Sequence, residues 1–531
     1  MKISLKNNKG FSWFSNKTTS VKGYFFDDKN NFYEKEKSVS FFENIQDENQ
    51  FIEILKTING VFSVIIQLEE SVFIASDTTR SFPLFYTFKN EEYIIYDDIL
   101  HLKNSLSIDE FDEFSEFEFK SCLHTTGRKT LLKNVFQAQS NEYIIFKNKK
   151  LIKSGFFFSY STKETNTSEY PLLKEKTIKV FENSFERLFK SVKSETLVIP
   201  LSGGFDSRLI AVMLKKHNYK NVVCFTYGNK NSFEIENSKK TAETLGFKWF
   251  FIEYNEELIG DYLETETFKK YAHFAGKYSS MPYLQEYFAV KHLKEKNIIP
   301  DNSIFIPGFS GDFLGGSQFL KVIPNNLKTT EIIDLIIREK YKFKKGSTSK
   351  KAELKEKIHQ SLLQFDKNYK EKIPSSVFED YDLKEKITKF NFNSASYYLF
   401  FGFEFRFPFW DLELLNFFKK LPESHKKMKL LFDEVLIENY FKPHQVFFES
   451  ELQPSKKIIS NQKVKDKIKP YLPTSIKQKL LEKSDWINYH LITQKMVNSM
   501  KENNLVIKKN IKTYNEIIIQ WYMYLSKGKI K

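Results

Sequence analysis

A short apolar strand that runs into Ser-Gly-Gly and then into a helix leaves a chain few conformations, and residues 196–214 are written that way. Thr196-Leu197-Val198-Ile199 reads as a buried strand, Pro200 to Arg208 as a turn, and Leu209, Ile210, Val212, Met213 and Leu214 as the inner face of a helix. Gly203 and Gly204 let the backbone approach an anion closely. Ser202 and Ser207 add hydroxyl donors, and the helix start offers free N–H groups and a positive dipole end. Leu201, Ser202, Gly203, Gly204, Asp206 and Ser207 are therefore the candidate phosphate-binding residues. Asp206 sets a carboxylate beside those phosphates, which makes sense where Mg²⁺ bridges them. The Gly-Lys-Ser/Thr ending of the other common phosphate loop is missing. Arg208 has two readings, a phosphate contact or a place on the helix surface.

The loop is similar to the pyrophosphate-gripping Ser-Gly-Gly-x-Asp-Ser loop of the ATP pyrophosphatases, which hold the outer two phosphates of ATP as a leaving group. Around it, 531 residues make room for two or three domains. Hydrophobic residues are 41% and Phe alone numbers 55, which is ample for large cores and excludes global disorder. The net charge of +15 comes with abundant Asn, Ile and Phe, and reads as compositional bias rather than a polyanion-binding face. The two cysteines, Cys122 and Cys224, form no CxxC pair, and the nine histidines show no metal-ligand spacing. The first residues carry no apolar leader and no run of eighteen uncharged apolar residues occurs, so a cytoplasmic protein without a membrane span is expected.

Residues 1 to about 155 read as mostly strand, with short alternating runs at 61–66, 72–75 and 93–96. Ser159 to Ser168 reads as a linker. Beyond it, a helical pattern over 172–192, strands at 222–227, 249–252 and 304–306, and a helix over 234–245 alternate as a parallel sheet covered on both faces would. Ligands then sit at the carboxyl ends of the strands, near Ser202, Phe225, Thr226 and Gly308. From Lys321 onward the chain reads as lysine-rich helices, and the Phe-rich run 400–409 as core.

Further motifs carry a wider resemblance. They are Pro307-Gly308-Phe309-Ser310-Gly311-Asp312-Phe313-Leu314-Gly315-Gly316, then Arg406-Phe407-Pro408-Phe409-Trp410-Asp411 with Leu421-Pro422, then Lys429-Leu430-Leu431. With Asn59-Gly60-Val61-Phe62, the run Ala75 to Tyr86 and Thr126 to Leu131, the chain resembles the asparagine synthetase family over most of its length. The resemblance implies an α/β protein. Residues 1–158 would be a mostly-β, class II glutamine amidotransferase-like sandwich, and residues 170–531 a doubly wound parallel-sheet ATP pyrophosphatase domain with added helices. It implies ATP at the Ser202–Ser207 loop with Phe225, Thr226 and Gly308, and Mg²⁺ on Asp206 and Asp312. The reaction would be AMP-forming transfer of ammonia or an amine to a small-molecule, peptide or sugar carboxylate. A homodimer is compatible with it; a nucleic-acid partner is not expected.

Departures from the family shape the rest. Position 2 is Lys2 where the glutaminase nucleophile would be a cysteine, and the Asn-Gly-Glu motif is missing from residues 1–60, so no glutaminase activity is expected. Phe309 stands where the second loop has a glutamate, and Asp433 where an arginine is common. The family's Arg-x-Lys falls at Glu449-Ser450-Glu451, leaving Lys456 or Lys457 as substitutes. Glu234 and Glu236 read as first-turn acids of their helix. Two alternatives stay open: an adenylating enzyme that modifies tRNA, and an inactive scaffold.

Overall fold

The structure is a computed structural model. It describes the chain except residues 233, 310, 322, 345, 449–481, 483, 509, 510, 512 and 531, and the side chains of 320 and 321.

The alternating runs near the start become strands because their branched and aromatic residues pair across two sheets. The larger is antiparallel: β11 (Lys150–Phe156), β10 (Glu142–Lys147), β6 (Ser71–Ser76), β5 (Asn59–Gln67), β3 (Thr19–Phe26) and β2 (Trp13–Ser15) in that order, with β4 (Phe32–Glu34) also on β3. The smaller runs β1 (Lys2–Ser4), β8 (Glu92–Tyr96), β7 (Phe85–Lys89), β9 (Val135–Gln137), with β1 parallel to β8. Ile65, Ile74, Ile144 and Phe146 of the larger sheet meet Leu84, Tyr86 and Ile95 of the smaller one in a single core. The other face of the larger sheet is covered by helices Lys35–Phe41 and Glu48–Leu55, through Val39, Phe42, Phe51 and Leu55. This region thus holds more helix than its alternating runs suggest; Ile99–Leu106 and Glu113–Cys122 are also helical.

Residues 157–169 form no strand or helix. They are nevertheless pinned rather than loose. Tyr160 is fully buried, its N–H donates to Asp380 (2.7 Å), and Thr162 N–H donates to Ser376 Oγ (3.0 Å).

The second part is a five-stranded parallel sheet in the order β14 (Lys248–Glu253), β13 (Val222–Gly228), β12 (Leu197–Pro200), β15 (Ile304–Phe305), β16 (Glu404–Phe405). Strand β16 lies within the Phe-rich run, whose Phe403, Phe405, Phe407 and Phe409 are buried as core. The chain builds outward from β12 to β13 and β14, then returns to the other side of β12 for β15. The loops after β12 and β15 therefore leave the sheet in diverging directions, and a crevice opens between them.

The first part docks on the second through buried polar contacts. Asn59 donates to Asp411 (2.8 Å), which also accepts from Arg187 Nε and Nη2, at 2.5 and 2.8 Å. The helix Pro374–Asp382 and its π-helical continuation Leu383–Asn391 bury Glu379, Asp382, Lys384, Glu385 and Lys389. Lys389 donates to Gly127 O (2.8 Å), which anchors that helix to the first part.

Candidate active site

The crevice is a cleft of about 430 Å³ at the carboxyl ends of β12, β13 and β15. On one wall the loop after β12 folds on itself. Ser202 N–H donates to Ser207 Oγ (3.1 Å), and Gly204 N–H donates to Ser202 Oγ (3.2 Å). Gly204 is the N-cap of helix Phe205–Lys216, and no side chain caps that end. Its first-turn N–H groups stay available for an anion.

The second glycine loop packs directly on the first. A Cβ on Gly308 would lie 2.9 Å from Ser207 N, and one on Gly311 would lie 2.7 Å from Asp206 Cγ. Only glycine permits this approach. It lets Asp312 N–H donate to Asp206 Oδ2 at 2.9 Å, which brings two carboxylates from different strand ends together. Burial, then the Asp312 charge, push Asp206 up to about 7, against the opposing pull of Lys429.

Lys429 faces the same end of the cleft. Burial alone would lower it, but Asp433, Asp206 and Asp312 outweigh that and hold its ammonium above the usual lysine range. It pairs with Asp433 at 3.0 Å. Met428 and Lys429 both have positive φ, 56° and 55°. Two consecutive left-handed non-glycine residues cost roughly 1–2 kcal/mol each, and such strain clusters where a side chain must be aimed. Asp433, read as a replacement for a family arginine, is thus the partner that steadies Lys429. The motif Lys429-Leu430-Leu431 was visible in the sequence, but nothing there marked Lys429 as a cleft residue.

Leu201, Ser202, Gly204, Asp206, Ser207, Thr226, Gly308 and Asp312 all line the cleft. Gly203 lies just behind, its carbonyl accepting from Arg208 (2.7 Å). Arg208 is fully buried and also donates to Val446 O (3.0 Å), so it takes neither of its two expected places. Phe225 points into the core against Tyr227 and Phe305, and its carbonyl accepts from Leu201 N–H (2.9 Å). Thr226 Oγ donates to Leu201 O (2.7 Å) and accepts from Trp249 (3.0 Å). Glu234 reaches the cleft, where burial raises its carboxyl and the Gly203 N–H opposes that rise. Phe309 packs on Phe392, Tyr398 and Phe407. Lys456 and Lys457 lie outside the described residues.

The sequence reading missed the opposite wall. Glu286, Tyr227, Tyr283, Gln285, Tyr397 and Trp486 line it. Glu286 accepts from Tyr398 (2.5 Å) and Tyr227 (3.3 Å), and burial pushes it up to about 7. Its one sequence signal was an acid that, with Gln285, interrupts the apolar and aromatic run 281–290.

In the first part, Asp77 is buried and held by the N–H groups of Phe62 (2.9 Å), Thr79 (2.5 Å) and Ser81 (3.3 Å). Cys122 and Cys224 are both buried, with thiols pushed up by burial. Lys2 is exposed on β1. No helix among the described residues is long and apolar enough to cross a membrane.

Among solved structures, the chain is similar to an NH3-dependent NAD synthetase from Campylobacter jejuni in complex with the nitrate ion (17% identity, 37% of this chain and 96% of that one, TM-score 0.20). It is similar to the U34-tRNA thiolase NcsA from Methanococcus maripaludis with its 4Fe-4S cluster (14%, 41% and 81%, TM-score 0.21). It is also similar to an NMN synthetase from Francisella tularensis (13%, 41% and 94%, TM-score 0.19). At these TM-scores the likenesses carry no weight for mechanism. No curated protein matches the chain by sequence. The asparagine synthase family model matches residues 179–496, more than half of the chain and every residue that lines the cleft, and on that match the chain belongs to the asparagine synthase family of ATP-dependent synthetases.

Proposed function

We propose that the protein adenylates a carboxylate with ATP, releasing AMP and pyrophosphate, and then transfers ammonia or an amine to the acyl group. The observation that carries this reading is the locked pair of loops. Asp206 and Asp312 share one hydrogen bond at the switch point of the sheet, with Lys429 beside them.

The Ser202–Ser207 loop and the uncapped helix start suit the outer phosphates of ATP, leaving the α-phosphorus toward the open cleft. A carboxylate oxygen attacks that phosphorus, and the bond to the bridging oxygen breaks with departure of pyrophosphate. The amine nitrogen then attacks the acyl carbon, gives up a proton to solvent and displaces AMP. Lys429 neutralises charge gathering on the leaving phosphates.

The adjoining carboxylates fit a Mg²⁺. Two acids from different strand ends repel each other without a cation between them. Among the described residues no group of three or more His, Cys, Asp or Glu could hold a metal alone, and Mg²⁺ commonly takes one or two carboxylates plus substrate phosphates. When bound, Mg²⁺ supplies charge neutralisation for the leaving pyrophosphate.

Residues 1–158 serve in this reading as an amidotransferase-like domain kept for its fold, and residues 170–531 as the synthetase domain. Two buried, undissociated thiols support an external source of the amine. The test is labelled ATP resolved by chromatography, with a carboxylate panel and ammonium. AMP and pyrophosphate are expected; ADP as the only nucleotide product would overturn the mechanism.

A further inference from the structure

Among the described residues, buried carboxylates nearly always lie within ion-pair distance of a basic side chain. Glu118 pairs with Lys357 at 2.6 Å, Glu379 with Lys426 at 2.7 Å, Asp382 with Lys340 at 2.6 Å and Glu385 with Lys389 at 2.6 Å. Asp380, Asp411, Glu142, Asp485 and Glu516 have theirs too. Among the described residues the exceptions are Asp77 and Glu286. Asp77 is enclosed and satisfied by three backbone N–H groups.

Glu286 is different. Only 5% of it is exposed, tyrosine hydroxyls donate to it, and it opens on the cleft. A carboxylate has about four lone-pair sites, so acceptor capacity is left over on the cleft side. Around it stand Tyr227, Tyr283, Tyr397, Trp486 and Phe309, all lining the same cavity. An acid set among aromatic side chains is chemistry that receives an organic ammonium, by charge and by the ring quadrupoles together.

We propose that Glu286 and this aromatic wall bind the ammonium group of an amine-bearing co-substrate. Here the cation that other buried acids find within the chain comes from the ligand. The inference rests on the reading that the cleft holds ATP at its other wall, and it names the class of molecule that reacts there. The ammonium is a handle on the co-substrate, either on the carboxylate that is activated or on the amine that attacks.

Calorimetry on the full chain with Mg·ATP present tests it. The probes are putrescine, 4-aminobutyrate and L-lysine, each against its N-acetylated form, and succinate as the carboxylate without an amine. At least one free amine should bind tenfold or more tighter than its acetylated form. Putrescine binding assigns the handle to the attacking amine; binding of 4-aminobutyrate or lysine without putrescine assigns it to the activated carboxylate. Glu286→Gln should erase that preference while Mg·ATP affinity changes less than threefold. The wild-type comparison needs no variant and stands if Glu286→Gln does not fold. Equal binding of free and acetylated forms, or no binding by any probe, overturns the proposal. So does Glu286→Gln weakening Mg·ATP against Mg·ITP, which puts the purine amino group at Glu286. Failure of Mg·ATP to bind at all strikes the synthetase reading instead, and leaves the amine comparison readable.

Discussion

Two aspartates that follow strand ends, Asp77 after β6 and Asp206 after β12, show how the two parts of this protein differ. Burial pushes both up, Asp77 to about 6 and Asp206 to about 7. Asp77 is closed in, with backbone N–H groups on both oxygens, and its neighbours Arg80 and Gln137 are buried with it. Asp206 lines a cleft and meets a second carboxylate through one N–H of Asp312. The first arrangement is complete in itself. The second is left with charge that a ligand can complete. A shifted acid points to function only when its surroundings leave something unfinished.

Replacing Asp206 should break this comparison hardest. Asp206→Asn is expected to lose Mg²⁺-dependent ATP binding by about 10³-fold, roughly 4 kcal/mol, since a metal ligand beside several phosphate charges is removed. Calorimetry giving equal affinities would remove Asp206 from the site. Asp312→Ala should lower turnover by about 10²–10³-fold while ATP affinity falls less than tenfold, the pattern of a group used in the transition state. The AMP-release assay read beside the binding constant separates the two effects.

Asp77 should answer to pH and not to nucleotide. Its raised value means that the folded state favours the protonated acid. The stabilisation is fully present below about pH 4 and is lost as pH rises through about 6. Asp77→Asn cannot titrate, so its stability relative to the wild type should improve by about 2–3 kcal/mol between pH 4 and pH 7. Unfolding midpoints of both proteins at the two pH values check this; a constant difference would mean that Asp77 does not titrate in that range.

The smallest effect belongs to the thiols. Cys122→Ser should leave ammonium-dependent AMP release unchanged within twofold, and the wild type should release no glutamate from glutamine above a no-enzyme blank. Thiol-sensitive glutamate release would restore a working glutaminase to the first part.

What the sequence made legible follows from how local each feature is. The Ser202–Ser207 loop could be read because glycines and a strand–helix junction fix it within nine residues. The parallel sheet showed in its alternating segments, though β16 hid in an aromatic run where burial on every side erases periodicity. Lys429 could not be read, because Met-Lys carries no sign of positive φ, although Lys429 is the left-handed N-cap of the helix Leu430–Leu436. Glu286 drew no reading, because a single acid carries no local motif. Its burial depends on Tyr398, 112 residues away. The pinning of Tyr160 by Asp380 is equally non-local, and so residues 159–168 read as a plain linker.

Gly308 and Gly311 carry a consequence for how such a chain can vary. Each leaves no room for a side chain against a loop about a hundred residues earlier. A change at Ser207 or Asp206 that altered the loop path would have to be matched at 308 or 311, and glycine has nothing smaller to become. These distant stretches are therefore constrained as one unit at their seam, whatever changes around them.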